Sequence, residues 1–202
     1  MDTVIEKIKF RFNILKRHLY PIPEIKKKRD VIDLYRKKFK PKTFIETGTF
    51  LGDTVEHFKF KFDLIFSIEL SEILAKRAQN RFLKDTHITI LEGNSKVILP
   101  VLLKDKNEMI LFWLDGHYSS EFFHGNEYIQ TAKGDTNTPI AEELDIILST
   151  LKNVVILIDD ARLFNGKNDY PTIKQLKQKV NKINNALHLF VKNDIIHIIP
   201  TI

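Results

Sequence analysis

From residue 43 onward the chain alternates short β-rich runs with segments of helical periodicity, and few folds accommodate that order. The runs are Thr43 to Glu46, Leu64 to Glu69, Ile88 to Leu91, Met109 to Leu114, Val154 to Ile158, Leu187 to Val191 and Ile195 to Ile199. Helical patterning falls near residues 52–60, 71–83, 94–104 and 139–151. Strand followed by helix, repeated, is the layout of a doubly wound α/β domain with a mostly parallel sheet. The fourth and fifth runs are apolar throughout, which places them at the centre of the sheet with both faces covered. Only Lys192, Asn193 and Asp194 separate the last two runs, so these are expected to form an antiparallel hairpin.

Ahead of this domain, taken as residues 43–202, lies a basic helical segment of residues 1–42. It holds 14 Lys and Arg against 5 Asp and Glu, a net +9, whereas the remainder, with 18 against 21, carries −3. Ile5, Ile8, Phe12, Leu15 and Leu19 recur at steps of three and four, with Lys7, Arg11 and Lys16 off that stripe. This predicts an amphipathic helix from Thr3 to about Leu19, ended by Pro21 and Pro23. A second helix is expected over Asp30 to Phe39. The first helix can dock against the domain, form a homodimer contact, or meet a membrane surface or partner. No run approaches the roughly 20 apolar residues of a membrane span, and no apolar run with a small-residue cleavage site opens the chain, so a cytoplasmic protein is expected. There is no cysteine, which leaves any metal to oxygen or imidazole ligands.

Open parallel sheets bind ligands beyond the carboxyl ends of their strands, where strand order reverses. The residues that follow each run therefore carry the functional reading. After the first comes Glu46-Thr47-Gly48-Thr49-Phe50-Leu51-Gly52, whose glycines permit a sharp turn and close approach of a ligand to the backbone. The second run ends in Glu69, a carboxylate placed to accept hydrogen bonds from ribose hydroxyls. The third is followed by Gly93, Asn94 and Ser95, which also read as a turn and helix cap. The fourth leads into Asp115-Gly116-His117-Tyr118 and the fifth into Asp159-Asp160. Three carboxylates at one edge repel one another and raise each other's pKa unless a cation compensates them. All-oxygen ligation points to Mg²⁺, with Mn²⁺ or Ca²⁺ as alternatives.

The first loop resembles the acid-x-Gly-x-Gly-x-Gly motif of class I S-adenosylmethionine (SAM) methyltransferases at Glu46, Gly48 and Gly52, with Phe50 in place of the middle glycine. In that form it is similar to the variant found in bacterial sugar and glycan methyltransferases. It departs from the Gly-x-Gly-x-x-Gly spacing of nicotinamide-dinucleotide binders. The Asp plus Asp-Asp arrangement resembles the metal site of the macrocin and novobiocin-type sugar O-methyltransferases. The resemblance implies a Rossmann-like sheet and SAM held by Glu46, Thr47, Gly48, Thr49, Gly52, Glu69, Gly93, Asn94, Ser95 and Asp115. It further implies a divalent ion on Asp115, Asp159 and Asp160. The group's general base stands two residues beyond the fourth-strand ligand, where this chain has His117, an imidazole able to take a hydroxyl proton. The implied reaction is O-methylation of a small-molecule or glycan acceptor, as in glycan biosynthesis.

Residues 116–138 contain His117, Tyr118, Ser119, His124, Gly125 and Gly134 with little apolar periodicity, and leave from the ligand edge. A connection of this length in a compact domain reads as an acceptor-binding loop or lid. Thr138 and Pro139 then open the next helix. Two other readings remain at this level. Methylation of RNA is suggested by the basic segment, although the Asn/Asp-Pro-Pro-Tyr/Phe motif of many base methyltransferases is absent after the fourth run. A non-catalytic module retaining the fold is the other.

Overall fold

A computed structural model describes residues 24–118, 121–124 and 127–201. The helix expected over Thr3 to Leu19, and Ser119 and Gly125 of the expected lid, lie outside the described residues. The described residues open with helix α1 (Ile25–Phe39), five residues longer at its start than its sequence pattern suggests. Lys40 ends it in the left-handed conformation, with φ 51°, just before Pro41. There follow β1 (Thr43–Thr47), α2 (Asp53–Phe58), β2 (Leu64–Glu69), α3 (Glu72–Arg81), β3 (Ile88–Glu92), α4 (Ser95–Leu102) and β4 (Ile110–Leu114). A hairpin of β5 (Glu121–His124) and β6 (Glu127–Gln130) comes next, then α5 (Ile140–Thr150) and β7 (Val154–Ile158). The chain closes with a short 3-10 turn at Ala161–Leu163, α6 (Ile173–Ile183), β8 (Leu187–Lys192) and β9 (Ile195–Pro200).

Seven strands form one sheet in the order β3-β2-β1-β4-β7-β9-β8, while β5 and β6 pair separately. The five strands from β3 to β7 are mutually parallel, and β9 runs antiparallel to both β7 and β8. This is the expected Rossmann-like architecture with its terminal hairpin. Asn193 and Asp194 turn that hairpin with φ values of 53° and 58°, the positive pair a two-residue type I′ turn requires.

Strand periodicity explains why the central runs carry no polar residue. Along β4, Ile110, Phe112 and Leu114 pack on one face with Leu99, Leu103, Leu144, Ile147, Leu176 and Val180 of α4, α5, α6 and their ends. Leu111 and Trp113 pack on the other with Val31, Ile32 and Tyr35 of α1, Val55 and Phe58 of α2, and Ala78 of α3. Each fully buried aliphatic or aromatic side chain in these layers contributes about 1.5–3 kcal/mol of transfer free energy. On the second face the Tyr35 hydroxyl meets His197 Nδ1 at 3.0 Å, tying α1 to the final strand.

Two elements fall outside the runs and helical segments expected from the sequence. The β5–β6 hairpin sits inside the segment read as a lid, too short to show alternation. Helix α6 does carry a local signal: Thr172 accepts from the Gln175 N–H at 3.2 Å and its own N–H donates to Gln175 Oε1 at 2.7 Å, a reciprocal capping box. No helix among the described residues is long and apolar enough to cross a membrane.

Candidate active site

Strand register builds the site. Thr47 lies opposite Leu114, and Leu114 opposite Ile158, so β1, β4 and β7 end at one level. The ladder continues one step further: the Gly48 N–H donates to the Ile68 carbonyl at 2.9 Å, Asp115 to Thr47 at 3.0 Å and Asp159 to Leu114 at 3.1 Å. Loops separated by more than a hundred residues thereby start from a common rim. The rim straddles β1 and β4, the point where strand order reverses and ligands gather in open α/β sheets.

A cavity of about 250 Å³ opens there. Of the residues expected to hold SAM, Thr47, Gly48, Glu69, Gly93, Asn94, Ser95 and Asp115 line it, together with Phe50, Ile68, Leu70 and Leu74. Gly48 has φ 88°, and a Cβ there would stand 2.6 Å from the Asp115 carbonyl oxygen, so the first loop and the β4 loop pack backbone to backbone. Glu69 is buried, accepting from the Phe50 N–H at 2.8 Å and from the Ser71 N–H at 2.9 Å. Burial raises its pKa, and those N–H donors limit the rise.

Glu46, Thr49 and Gly52 stand behind the loop and do not line the cavity. The Ser67 hydroxyl donates to Glu46 Oε2 at 2.7 Å and lies 2.6 Å from the Thr49 hydroxyl. Burial pushes the Glu46 carboxyl up to about 8, against the Ser67 hydrogen bond, with Asp115 and Glu69 adding repulsion. A second such group, Glu143 of α5, was not legible in the sequence because a Glu-Glu pair opening a helix reads as solvated. Among the described residues, neither of its carboxyl oxygens nor the Thr47 hydroxyl has a hydrogen-bond partner of good geometry. Burial pushes Glu143 up to about 7, moderated by the nearby Ser95 and Thr47 hydroxyls.

The other end of the rim is acidic, as expected, but its charges are compensated from within the chain. Lys28 of α1 brings its ammonium 2.5 Å from Asp159 Oδ2 and 3.5 Å from Asp160 Oδ1. The second Asp159 oxygen accepts from the Asp160 N–H at 2.8 Å. Arg162 donates to Asp160 Oδ1 at 2.7 Å and is itself paired with Asp194 of the terminal hairpin turn. His117 Nδ1 lies 3.2 Å from Asp115 Oδ1, and its Nε2 3.8 Å from Asp160 Oδ2. Burial lowers the Lys28 pKa, but Asp159, Asp160 and Asp115 more than reverse this and keep it charged. The imidazole behaves alike: burial opposes its charge, and Asp115, Asp160 and Asp159 raise its pKa above the ordinary value. The two adjacent aspartates diverge. Burial, then Asp115 and Asp160, push Asp159 up to about 7, whereas Arg162, Lys28 and His117 overcome burial to hold Asp160 below the usual carboxylate range.

This arrangement fits a hard divalent ion on Asp115, Asp159 and Asp160 poorly, because both Asp159 oxygens are engaged by donors of the chain. The group among the described residues whose ligand atoms fall within 4.8 Å of one another is Asp115, His117 and Asp160, a set with one imidazole that is not the all-oxygen shell Mg²⁺ prefers. Lys28 escaped sequence reasoning because it lies in a run of basic residues, 131 positions from its partner.

No protein-family model matches the chain, and no curated protein matches it. Among solved structures it is similar to the O-methyltransferase TomG from Streptomyces achromogenes, involved in tomaymycin synthesis and in complex with SAM. That likeness has 14% identity, a TM-score of 0.62, and covers 89% of this chain and 82% of that one. The SAH-bound methyltransferase PaMTH1 of Podospora anserina matches at 16% identity and TM-score 0.56, over 87% of this chain and 78% of that one. A methyltransferase from Geobacter sulfurreducens matches at 12% identity and TM-score 0.57, over 96% and 88%. At these identities the likeness establishes the fold alone, a Rossmann-like sheet similar to that of these methyltransferases.

Proposed function

We propose that the chain is a SAM-dependent O-methyltransferase acting on a sugar or other small-molecule hydroxyl. The observation that carries this reading is one cavity along which the Gly48 loop, Glu69 and the Gly93–Ser95 turn are aligned, ending at Asp115 and His117. Solved structures of the same fold that hold SAM or SAH support it. SAM, when bound, supplies a methyl group already activated on sulfur, which leaves the protein mainly the work of alignment. Glu69, which lines the cavity at the end of β2, is placed to accept from ribose hydroxyls. The Gly48 backbone and Thr47 hold the amino-acid end, and Ile68, Leu70 and Leu74 supply apolar walls. His117 Nε2 takes the proton of the acceptor hydroxyl, while Asp115 Oδ1 orients the ring from Nδ1 and favours the imidazolium that results.

The test is calorimetry with SAH, followed by transfer of labelled methyl from SAM to a panel of sugars and small hydroxyl compounds. Wild type and His117→Ala should bind SAH alike, and the variant should lose about 10²–10⁴-fold in transfer. Absence of affinity for both SAM and SAH in the wild-type protein removes the proposal.

A further inference from the structure

We propose that Lys28 is the resident cation of the acceptor end of this site, holding by an ammonium the position that a divalent ion takes in metal-assisted sites. The inference rests on the reading of this rim as the acceptor end. Its physical basis is how α1 aims the residue. Val31, Ile32 and Tyr35 bury one face of α1 against the sheet, and Lys28, three and four positions before Val31 and Ile32, lies on that same face. The helix overhangs the ends of β4 and β7, so the side chain meets Asp159 and Asp160 instead of solvent. Its exposure is 19% and that of the Asp159 side chain 3%.

An ammonium has three N–H donors. With Asp159 and Asp160 as partners its charge stands at the rim, where it opposes the negative charge that grows as an acceptor oxygen loses its proton. Arg162 completes the compensation of Asp160 and is locked in turn by Asp194. A divalent ion seeking these carboxylates must displace a fixed charge already in place. Lysine at this point therefore excludes metal as well as replacing it.

The experiment uses Mn²⁺ alone as the probe on the full chain. Lys28→Met should bind one Mn²⁺ about tenfold or more tightly than wild type, and Mn²⁺ should raise its melting temperature selectively. Lys28→Arg, which restores the charge, should show neither effect. Equal Mn²⁺ affinity in wild type and Lys28→Met overturns the proposal. Should Lys28→Met fail to fold, the wild-type amide spectrum decides: selective broadening of the Gly116 and Asp160 signals by Mn²⁺ overturns it, and unselective broadening upholds it. SAH calorimetry on wild type runs alongside. A failure there refutes the methyltransferase reading without touching the metal result.

Discussion

The Phe50 N–H donates to Glu69 Oε2 at 2.8 Å, so the loop after β1 and the last residue of β2 form one unit. Phe50 sits at φ 51°, an uncommon conformation for a non-glycine residue, and this bond helps hold it there. Glu69→Ala should weaken SAH binding by at least about tenfold, since hydrogen bonds to a charged group contribute about 1.5–3 kcal/mol. Glu69→Gln, which keeps the shape but replaces one acceptor oxygen with a donor, should fall between. Unchanged calorimetric affinity in the alanine variant would show that this carboxylate serves the loop alone.

Gly48→Ala tests the backbone contact between the β1 and β4 loops. The added Cβ would meet the Asp115 carbonyl oxygen at 2.6 Å, from a residue with φ 88°. Backbone cannot yield as a flexible side chain can, so a loss of about 2–4 kcal/mol in denaturant unfolding is expected. Gly134→Ala is the control. It also lines the cavity, yet its Cβ would stand an ordinary 3.5 Å from Leu70 Cδ2, and its stability should stay within about 0.5 kcal/mol of wild type.

Glu143 sets a pH dependence of stability. Its carboxyl titrates at about 7 in the folded chain, against an ordinary 4.5. Between those values the unfolded chain has released the proton that the native chain retains. Stability from this group is full below about pH 4.5 and is lost as pH rises toward 7. Glu143→Gln should remove that loss, stabilising the protein by about 3 kcal/mol at pH 8 relative to pH 4.5 when compared with wild type. The comparison of the two proteins isolates Glu143 from His57 and His197, whose burial lowers their pKa values and tilts stability the other way. Parallel pH profiles of the denaturation midpoint would refute the assignment.

Ile32→Ala tests whether α1 is part of the core. Ile32 is 1% exposed, and truncating a buried isoleucine to alanine costs about 2–5 kcal/mol. A change below about 0.5 kcal/mol in urea unfolding would mean that α1 docks only loosely.

The sheet was legible because period and composition agree in β1 to β4 and β7: apolar runs, each closed by a chemically distinctive residue such as Glu69 or Asp115. The terminal hairpin was equally plain in Lys192, Asn193 and Asp194, though not its type of turn. The parts that were not legible depend on distance. Spacing from Val31, Ile32 and Tyr35 sets Lys28 on the buried face of α1, but only the docking of that helix reveals which acids it meets. The carboxylate count at the rim was readable, and with it the need for a cation. The identity of that cation was not, because it follows from how a helix lies across the sheet. Glu46 and Glu143 show the same limit: burial, the largest cause of their raised pKa values, is a property of packing.

The Lys28 contact joins residues 131 positions apart, and the Tyr35–His197 pair, from the same helix, spans 162. In chain order α1 precedes every strand of the sheet, yet its docking surface is incomplete until β9 is in place. Contacts of such separation form late and slowly. The neutralised rim is therefore among the last features a growing chain acquires, and a product truncated with its sheet half built would carry unquenched aspartates.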